Sequence, residues 1–216
     1  MSKFLLRTAR RAIATPIRPR QCRSLMTLPA FSLEGKTCVV TGAGRGLGKE
    51  FLTAFALSGA RGACVDLSLD ASHKSIKHIS EHVQRTTTTS HTPDLKAYGC
   101  DVTSEEQVKD TWQSIVKDLG KVDVVVTAAG IVENFAAEDY PYDRWQKMMA
   151  VNLNGSFLFA KQAGKYWIDN EMKGNLILVS SMSSIVCVRP QKQAAYNASK
   201  GAGSLMGRSL ATEVMS

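Results

Sequence analysis

No stretch of this sequence approaches the roughly 18 uncharged apolar residues that a membrane-spanning helix needs, so no membrane helix is expected. Cysteine is sparse: Cys22, Cys38, Cys64, Cys100 and Cys187 are odd in number and form no CxxC pair. That points away from a zinc site and from a disulfide framework, and towards a reducing compartment. Cys38, Cys64 and Cys100 fall in or just after the strand-like runs TCVVT, GACVD and AYGCD, where a free thiol behaves as a small hydrophobe. Histidine is scarce too, and His73, His78, His82 and His91 share one neighbourhood. His78 and His82, four apart, could share a helix face as metal ligands, but no carboxylate or cysteine cluster completes a site there. A solvated helix face, and no metal, is expected. Acidic residues are missing from residues 1–33, which hold Lys3, Arg7, Arg10, Arg11, Arg18, Arg20 and Arg23. Removing those seven charges from the total of +8 leaves +1 for residues 34–216. A nearly neutral body offers no basic face to a phosphate backbone, so no nucleic-acid partner is expected.

What is present is ordinary globular material: 216 residues, 44% hydrophobic, with 16 scattered glycines. That suits one domain with a sizeable core and excludes disorder, collagen and coiled coil. Phe4, Leu5, Leu6, Ala9 and Ile13 recur at helical spacing among Arg7, Arg10 and Arg11. A basic, acid-free amphipathic helix of this kind marks a mitochondrial presequence, whereas a secretory signal needs a longer uninterrupted apolar core. Residues 1–30 are therefore expected to direct the chain to the mitochondrial matrix, with a plain basic tail on a cytoplasmic protein as the alternative. The folded domain, 31–216, should begin near Phe31.

From Glu34 onward strand-like and helical segments alternate. The strand-like runs are Thr37–Thr41, Ala63–Asp66, Leu95–Val102, Val122–Ala128 and Asn175–Ser180; helices are expected over 46–58, 70–85, 104–119, 143–169 and 195–215. Val124, Val125 and Val126 are continuously apolar, as in a strand covered on both faces. Alternation of this kind predicts an α/β fold on a parallel sheet with right-handed crossovers. RTTTTSHT at 85–92 breaks the rhythm and reads as a surface loop.

The first turn is Thr41-Gly42-Ala43-Gly44-Arg45-Gly46-Leu47-Gly48. Glycines there allow positive φ and let backbone amides approach a pyrophosphate at a helix N-terminus. The spacing is GxxxGxG, since Leu47 occupies the place where GxGxxG needs glycine. Asp66 ends the second strand, where a carboxylate can accept from adenosine ribose hydroxyls. Asp101, with Val102 beside it, follows the third and could meet the adenine edge. Either aspartate could instead cap the next helix. Downstream, Tyr196 and Lys200 are four apart and share a helix face. An ammonium beside a phenol favours the phenolate, so such a pair can exchange a proton with an alcohol without histidine. Ser180-Ser181 ends the strand fifteen residues before the tyrosine, and its hydroxyl could hydrogen-bond a substrate oxygen. Asn152 is a polar residue inside an apolar helical run, and a buried amide holding an ordered water is one reason for it.

With these residues assembled, the sequence resembles the short-chain dehydrogenase/reductase family from about Phe31 to about Gly207. The resemblance implies a doubly wound, Rossmann-like sheet of strand order 3-2-1-4-5. It implies Gly42, Arg45, Gly46, Leu47 and Gly48 around the pyrophosphate, Asp66 at the ribose, and Asp101 and Val102 at adenine. Ala129 and Gly130 would lie beside the cofactor, and Asn152, Ser181, Tyr196 and Lys200 would form the catalytic tetrad. Tyr196 and Lys200 would also contact the cofactor. The strings SSMSS and QKQAAYN resemble fungal arabinitol, mannitol and sorbose reductases. They imply hydride transfer between NAD(P) and a small-molecule alcohol or ketone, and a homo-oligomer for a complete chain. Asp66 would repel a 2′-phosphate more than the exposed Arg45 attracts it, so NAD is expected over NADP.

Three departures accompany the resemblance. Thr127-Ala128 stands where the family has two asparagines, which should loosen a strand contact. The serine-to-tyrosine gap of fifteen makes Ser183 a rival of Ser181, which is preferred for ending the strand seven residues after Gly174. The chain stops at Ser216, where the family continues with a sixth strand, a Pro-Gly loop, a lid helix and a seventh strand. The domain is thus expected to be C-terminally incomplete, and a nucleotide-binding fragment without turnover is the competing expectation.

Overall fold

The computed structural model describes residues 29–87 and 92–214. Residues 1–28 of the presequence-like segment and residues 88–91 of the threonine-rich stretch lie outside the described residues. Five parallel strands, β1 (Thr37–Thr41), β2 (Arg61–Asp66), β3 (Leu95–Gly99), β4 (Val124–Thr127) and β5 (Asn175–Leu178), form one sheet in the order β3-β2-β1-β4-β5. This is the expected 3-2-1-4-5 order.

Strand alternation sends neighbouring side chains to opposite faces. Val39 and Val125 face one layer with Val108, Trp112 and Ile115 of α3 (Glu105–Leu119) and Phe159 and Trp167 of α5 (Gly155–Asp169). Cys38, Val40, Val124 and Val126 face the other, with Leu52 and Ala56 of α1 (Gly46–Leu57) and Ile79 and Val83 of α2 (Leu69–Thr86). Both faces are covered, as the unbroken valine run requires. Cutting the fully buried Phe159 back to alanine would cost about 3–5 kcal/mol.

Caps and clamps set the element ends. Ser68 accepts from the Ala71 amide and Ser104 from that of Gln107, so serines, and not Asp66 or Asp101, cap α2 and α3. At the opposite end of the sheet the buried carboxylate of Asp123 accepts from the Thr37 amide at 2.9 Å and from Lys36 and Lys121. Burial would raise that carboxyl, but the amide and the two ammonium groups outweigh it and hold it below the usual carboxylate range.

Four expectations need correction. β3 stops at Gly99, so Asp101 and Val102 lie in the following loop. β5 stops at Leu178, because the Val179 carbonyl is taken by the Lys200 ammonium at 2.7 Å and Ser180 Oγ turns to Ser204 of α6 (Ala194–Val214). Ser181 therefore caps the short 3-10 turn Met182–Ser184 and does not end the strand. Thr86, expected in the loop, is the last residue of α2, one beyond the expected helix end at Arg85. The helix expected over 143–169 is α4 (Tyr142–Met149), a π-helical turn (Ala150–Asn154) and α5, with the Gly155 amide reaching back to the Ala150 carbonyl.

Candidate active site

Parallel strands aim their C-terminal ends at one edge, and the helices that follow begin there. Gly42 and Gly46 adopt φ +66° and +57°, a region that side-chain-bearing residues avoid. A Cβ on Gly42 would lie 2.7 Å from the Ala129 backbone, and one on Gly48 2.3 Å from the Gly42 carbonyl oxygen. The turn therefore presses against the end of β4 and against itself, and Thr41 Oγ1 accepts from the Ala129 amide at 3.2 Å to join the same two segments. Around Gly46 the space is open. α1 starts at this point without a side-chain cap and without an acid in its first turn, unlike α2 and α3. Its free amides and positive dipole end suit an anion. Arg45 and Leu47 stand exposed beside them.

Asp66, half-buried, accepts from the Gly44 amide at 2.9 Å and from the Ser68 amide. These bonds fix a carboxylate against the glycine turn. Gly44 has no room for a side chain, since a Cβ would come 2.8 Å from that carboxylate. Asp101 accepts from the amide and hydroxyl of Thr103, folding the loop onto itself. The Val102 side chain is buried and packs on Gly155, where a Cβ would approach it to 2.7 Å.

The second cluster gathers beyond β4 and β5. Asn152, in the π-helical turn, is almost fully buried. Its Oδ1 accepts from the Ile131 amide at 2.8 Å, and its Nδ2 donates to the Ile131 carbonyl at 2.9 Å and to Ser199 Oγ at 3.0 Å. Its amide hydrogens are thus engaged, with Met148 Sδ also 3.2 Å from Nδ2, and what remains open towards the expected water is the second lone pair of Oδ1. A Cβ placed on Gly130 would lie 3.4 Å from that oxygen and 3.7 Å from Nζ of Lys200. Three separate segments therefore converge on the open face of Gly130: the end of β4, the π turn and α6.

Lys200 is 8% exposed, and burial pushes its ammonium below the ordinary lysine value. Its Nζ lies 5.8 Å from the centre of the half-buried Tyr196 ring, as the four-residue spacing predicts. Ser181, on the turn that packs against α6, accepts from the Ser183 amide at 3.1 Å. A hydroxyl accepting in that way keeps its own hydrogen to donate. Thr127 pairs in register with Thr41 and Leu178, but its buried hydroxyl has no partner among the described residues and its carbonyl receives the Val179 amide at a long 3.3 Å. His73, His78 and His82 are exposed along α2. Ser199 and Ile131 were absent from the sequence reading. The position of Ser199, one turn after Tyr196 and beside Lys200, was the available signal.

The profile of the short chain dehydrogenase family matches residues 36–216. The chain belongs to that family. It is accordingly an NAD(P)-dependent oxidoreductase. Among its relatives, the D-arabinitol 2-dehydrogenase (ribulose-forming) of Scheffersomyces stipitis is 33% identical over 190 residues, covering 86% of this chain and 68% of that protein. A probable NADP-dependent mannitol dehydrogenase of Yarrowia lipolytica is 35% identical over 203 residues, covering 93% and 68%. The crystal structure of a short-chain type dehydrogenase/reductase from Mycobacterium marinum superposes with a TM-score of 0.78 at 30% identity, covering 86% of this chain and 69% of that one. The residues fit the dinucleotide such enzymes use: the uncapped α1 start and the open space at Gly46 suit a pyrophosphate, and Asp66 holds a carboxylate fixed against the same turn.

Proposed function

We propose that this short-chain dehydrogenase interconverts a polyol and its ketose, with NAD preferred. The convergence of Lys200 Nζ and Asn152 Oδ1 on Gly130, with Tyr196 on the same helix face, carries this reading. A bound nicotinamide dinucleotide supplies the hydride chemistry. The chain's own residues do the rest. Tyr196 takes the proton of the alcohol in the oxidative direction, and Ser181 donates to the same oxygen. Lys200, buried with no carboxylate partner among the described residues, would meet the nicotinamide ribose and favours the phenolate. Asn152 holds Gly130-Ile131 in place, and its remaining lone pair can accept from a water that passes protons outward. The names of the arabinitol and mannitol relatives support the substrate class.

The cofactor choice rests on Asp66. Its carboxylate is fixed by two backbone amides and would oppose a 2′-phosphate, although the Yarrowia relative is named NADP-dependent. Dissociation constants for both cofactors, on the parent and on Asp66→Ser, test this. The parent should favour NAD and the variant should lose that preference; tighter NADP binding by the parent refutes it. A second reading, dinucleotide binding without turnover, is favoured by the outer position of β5, where Ile177 is 45% exposed. Cofactor binding without substrate-dependent reduction of NAD would select it.

A further inference from the structure

Ser199 has no solvent exposure, yet its hydroxyl joins the chemical groups of α6 to a segment far away in the chain. Its O–H donates to the Tyr196 carbonyl at 2.7 Å, and its oxygen accepts from Asn152 Nδ2 at 3.0 Å. The Asn152 amide in turn clasps both backbone groups of Ile131, next to Gly130. One unbroken run of hydrogen bonds therefore leads from the loop after β4, through the π turn, to the first turn of α6. That turn carries Tyr196, and Lys200 follows it directly.

We infer that Ser199 is a positioning residue: its hydroxyl holds the turn bearing Tyr196 and Lys200 in register with Gly130 by fastening it to Asn152. The inference rests on the dehydrogenase function proposed above. The physical case is one of geometry. Oγ has one hydrogen and two lone pairs, and the hydrogen and one lone pair are used in the two bonds described. Alanine at this place fits the same space and is the best helix former, so the helix persists. What is lost is the link to Asn152, whose Nδ2 then keeps only the Ile131 carbonyl and the weak acceptor Met148 Sδ at 3.2 Å, neither of which belongs to α6. α6 can then slide or rotate by a fraction of an ångström against Gly130. A displacement approaching 1 Å is worth up to about a hundredfold in rate when reacting groups must be aligned. Ser199 does not touch the reacting atoms, so cofactor affinity should change little.

The test compares the full chain with Ser199→Ala and Ser199→Thr. Hydrogen exchange at the Ile131 amide is the readout independent of activity, because Ile131 is reached from Ser199 through Asn152. In Ser199→Ala this amide should exchange several-fold faster, kcat for polyol oxidation should fall about ten- to hundredfold, and KM and the NAD dissociation constant should stay within threefold. Ser199→Thr keeps the hydroxyl and should restore both the protection of Ile131 and most of kcat. Unchanged exchange at Ile131 in Ser199→Ala overturns the inference, and so does an unchanged kcat. Absence of turnover in the parent chain would instead refute the proposed function, and the exchange comparison then decides the coupling alone.

Discussion

Gly48→Ala should damage the protein at one defined place. The new Cβ would sit 2.3 Å from the carbonyl oxygen of Gly42 and 2.8 Å from its carbon. Both are backbone atoms of the turn that presses on Ala129, so no side chain can swing away to make room. Overpacking of this kind costs about 1–3 kcal/mol. In a domain of this size each kcal/mol moves the melting midpoint by about 2–4 °C, so a fall of about 2–12 °C follows. The turn must also shift its amides, and a loss of about 1.4 kcal/mol of contact with a pyrophosphate weakens binding tenfold. Gly62→Ala in β2 is the control. Its Cβ would meet Cδ1 of Leu52, midway along α1, at 2.6 Å and Cδ2 of Leu95, in β3, at 2.9 Å, ends of flexible side chains outside the turn. It should lose stability while keeping NAD affinity. Thermal unfolding and calorimetric titration with NAD measure both quantities. If Gly48→Ala keeps the parent's midpoint and affinity, or if Gly62→Ala loses NAD binding equally, the glycine turn is not the cofactor cradle.

Ser181→Ala should impair turnover strongly and Ser183→Ala only slightly, because Ser181 accepts from the Ser183 amide and keeps its own hydrogen to donate; equal losses in steady-state kinetics would contradict the choice. Asp123→Asn should cost about 1–3 kcal/mol near neutral pH through the weakened bonds to Thr37, Lys36 and Lys121. The folded carboxyl lies below its unfolded value of about 3.9, so the stabilisation is present above that pH and disappears as pH falls towards the folded value. Denaturant unfolding at a series of pH values should show the gap between parent and variant closing on acidification, and a gap that widens refutes the assignment. Removing residues 1–30 should leave the domain folded and return a fluorescent fusion from mitochondria to the cytosol; a full-length fusion that stays diffuse contradicts the targeting proposal.

The alternation of strands and helices, the glycine turn and the Tyr196–Lys200 pair were legible in local spacing, whereas the sheet order followed from the family resemblance. Continuous valines reveal a doubly covered strand, positive-φ glycines reveal the turn, and Tyr196 and Lys200 reveal one helix face. Strand ends were not legible, because they depend on distant groups. β5 ends where it does because Lys200, 21 residues beyond Val179, takes that carbonyl. The π turn was hidden for the same reason: a helical run with Asn152 and Asn154 among apolar residues carries no sign that Ile131 will engage both ends of the Asn152 amide. Ser199 shows no local sign of its role, because its two partners, the Tyr196 carbonyl and Asn152, come together only in the fold. Asp66 and Asp101 looked equally able to cap helices until Ser68 and Ser104 were seen doing so.

The central claim is that Tyr196 passes the proton while NAD is reduced by a polyol. Nicotinamide absorbance during oxidation of D-arabinitol or D-mannitol, by the parent and by Tyr196→Phe, tests it most directly. The parent should reduce NAD in proportion to enzyme. The variant should be slower by about 10²–10⁴-fold with its NAD dissociation constant unchanged. Near-parental turnover with phenylalanine at position 196 would contradict the account.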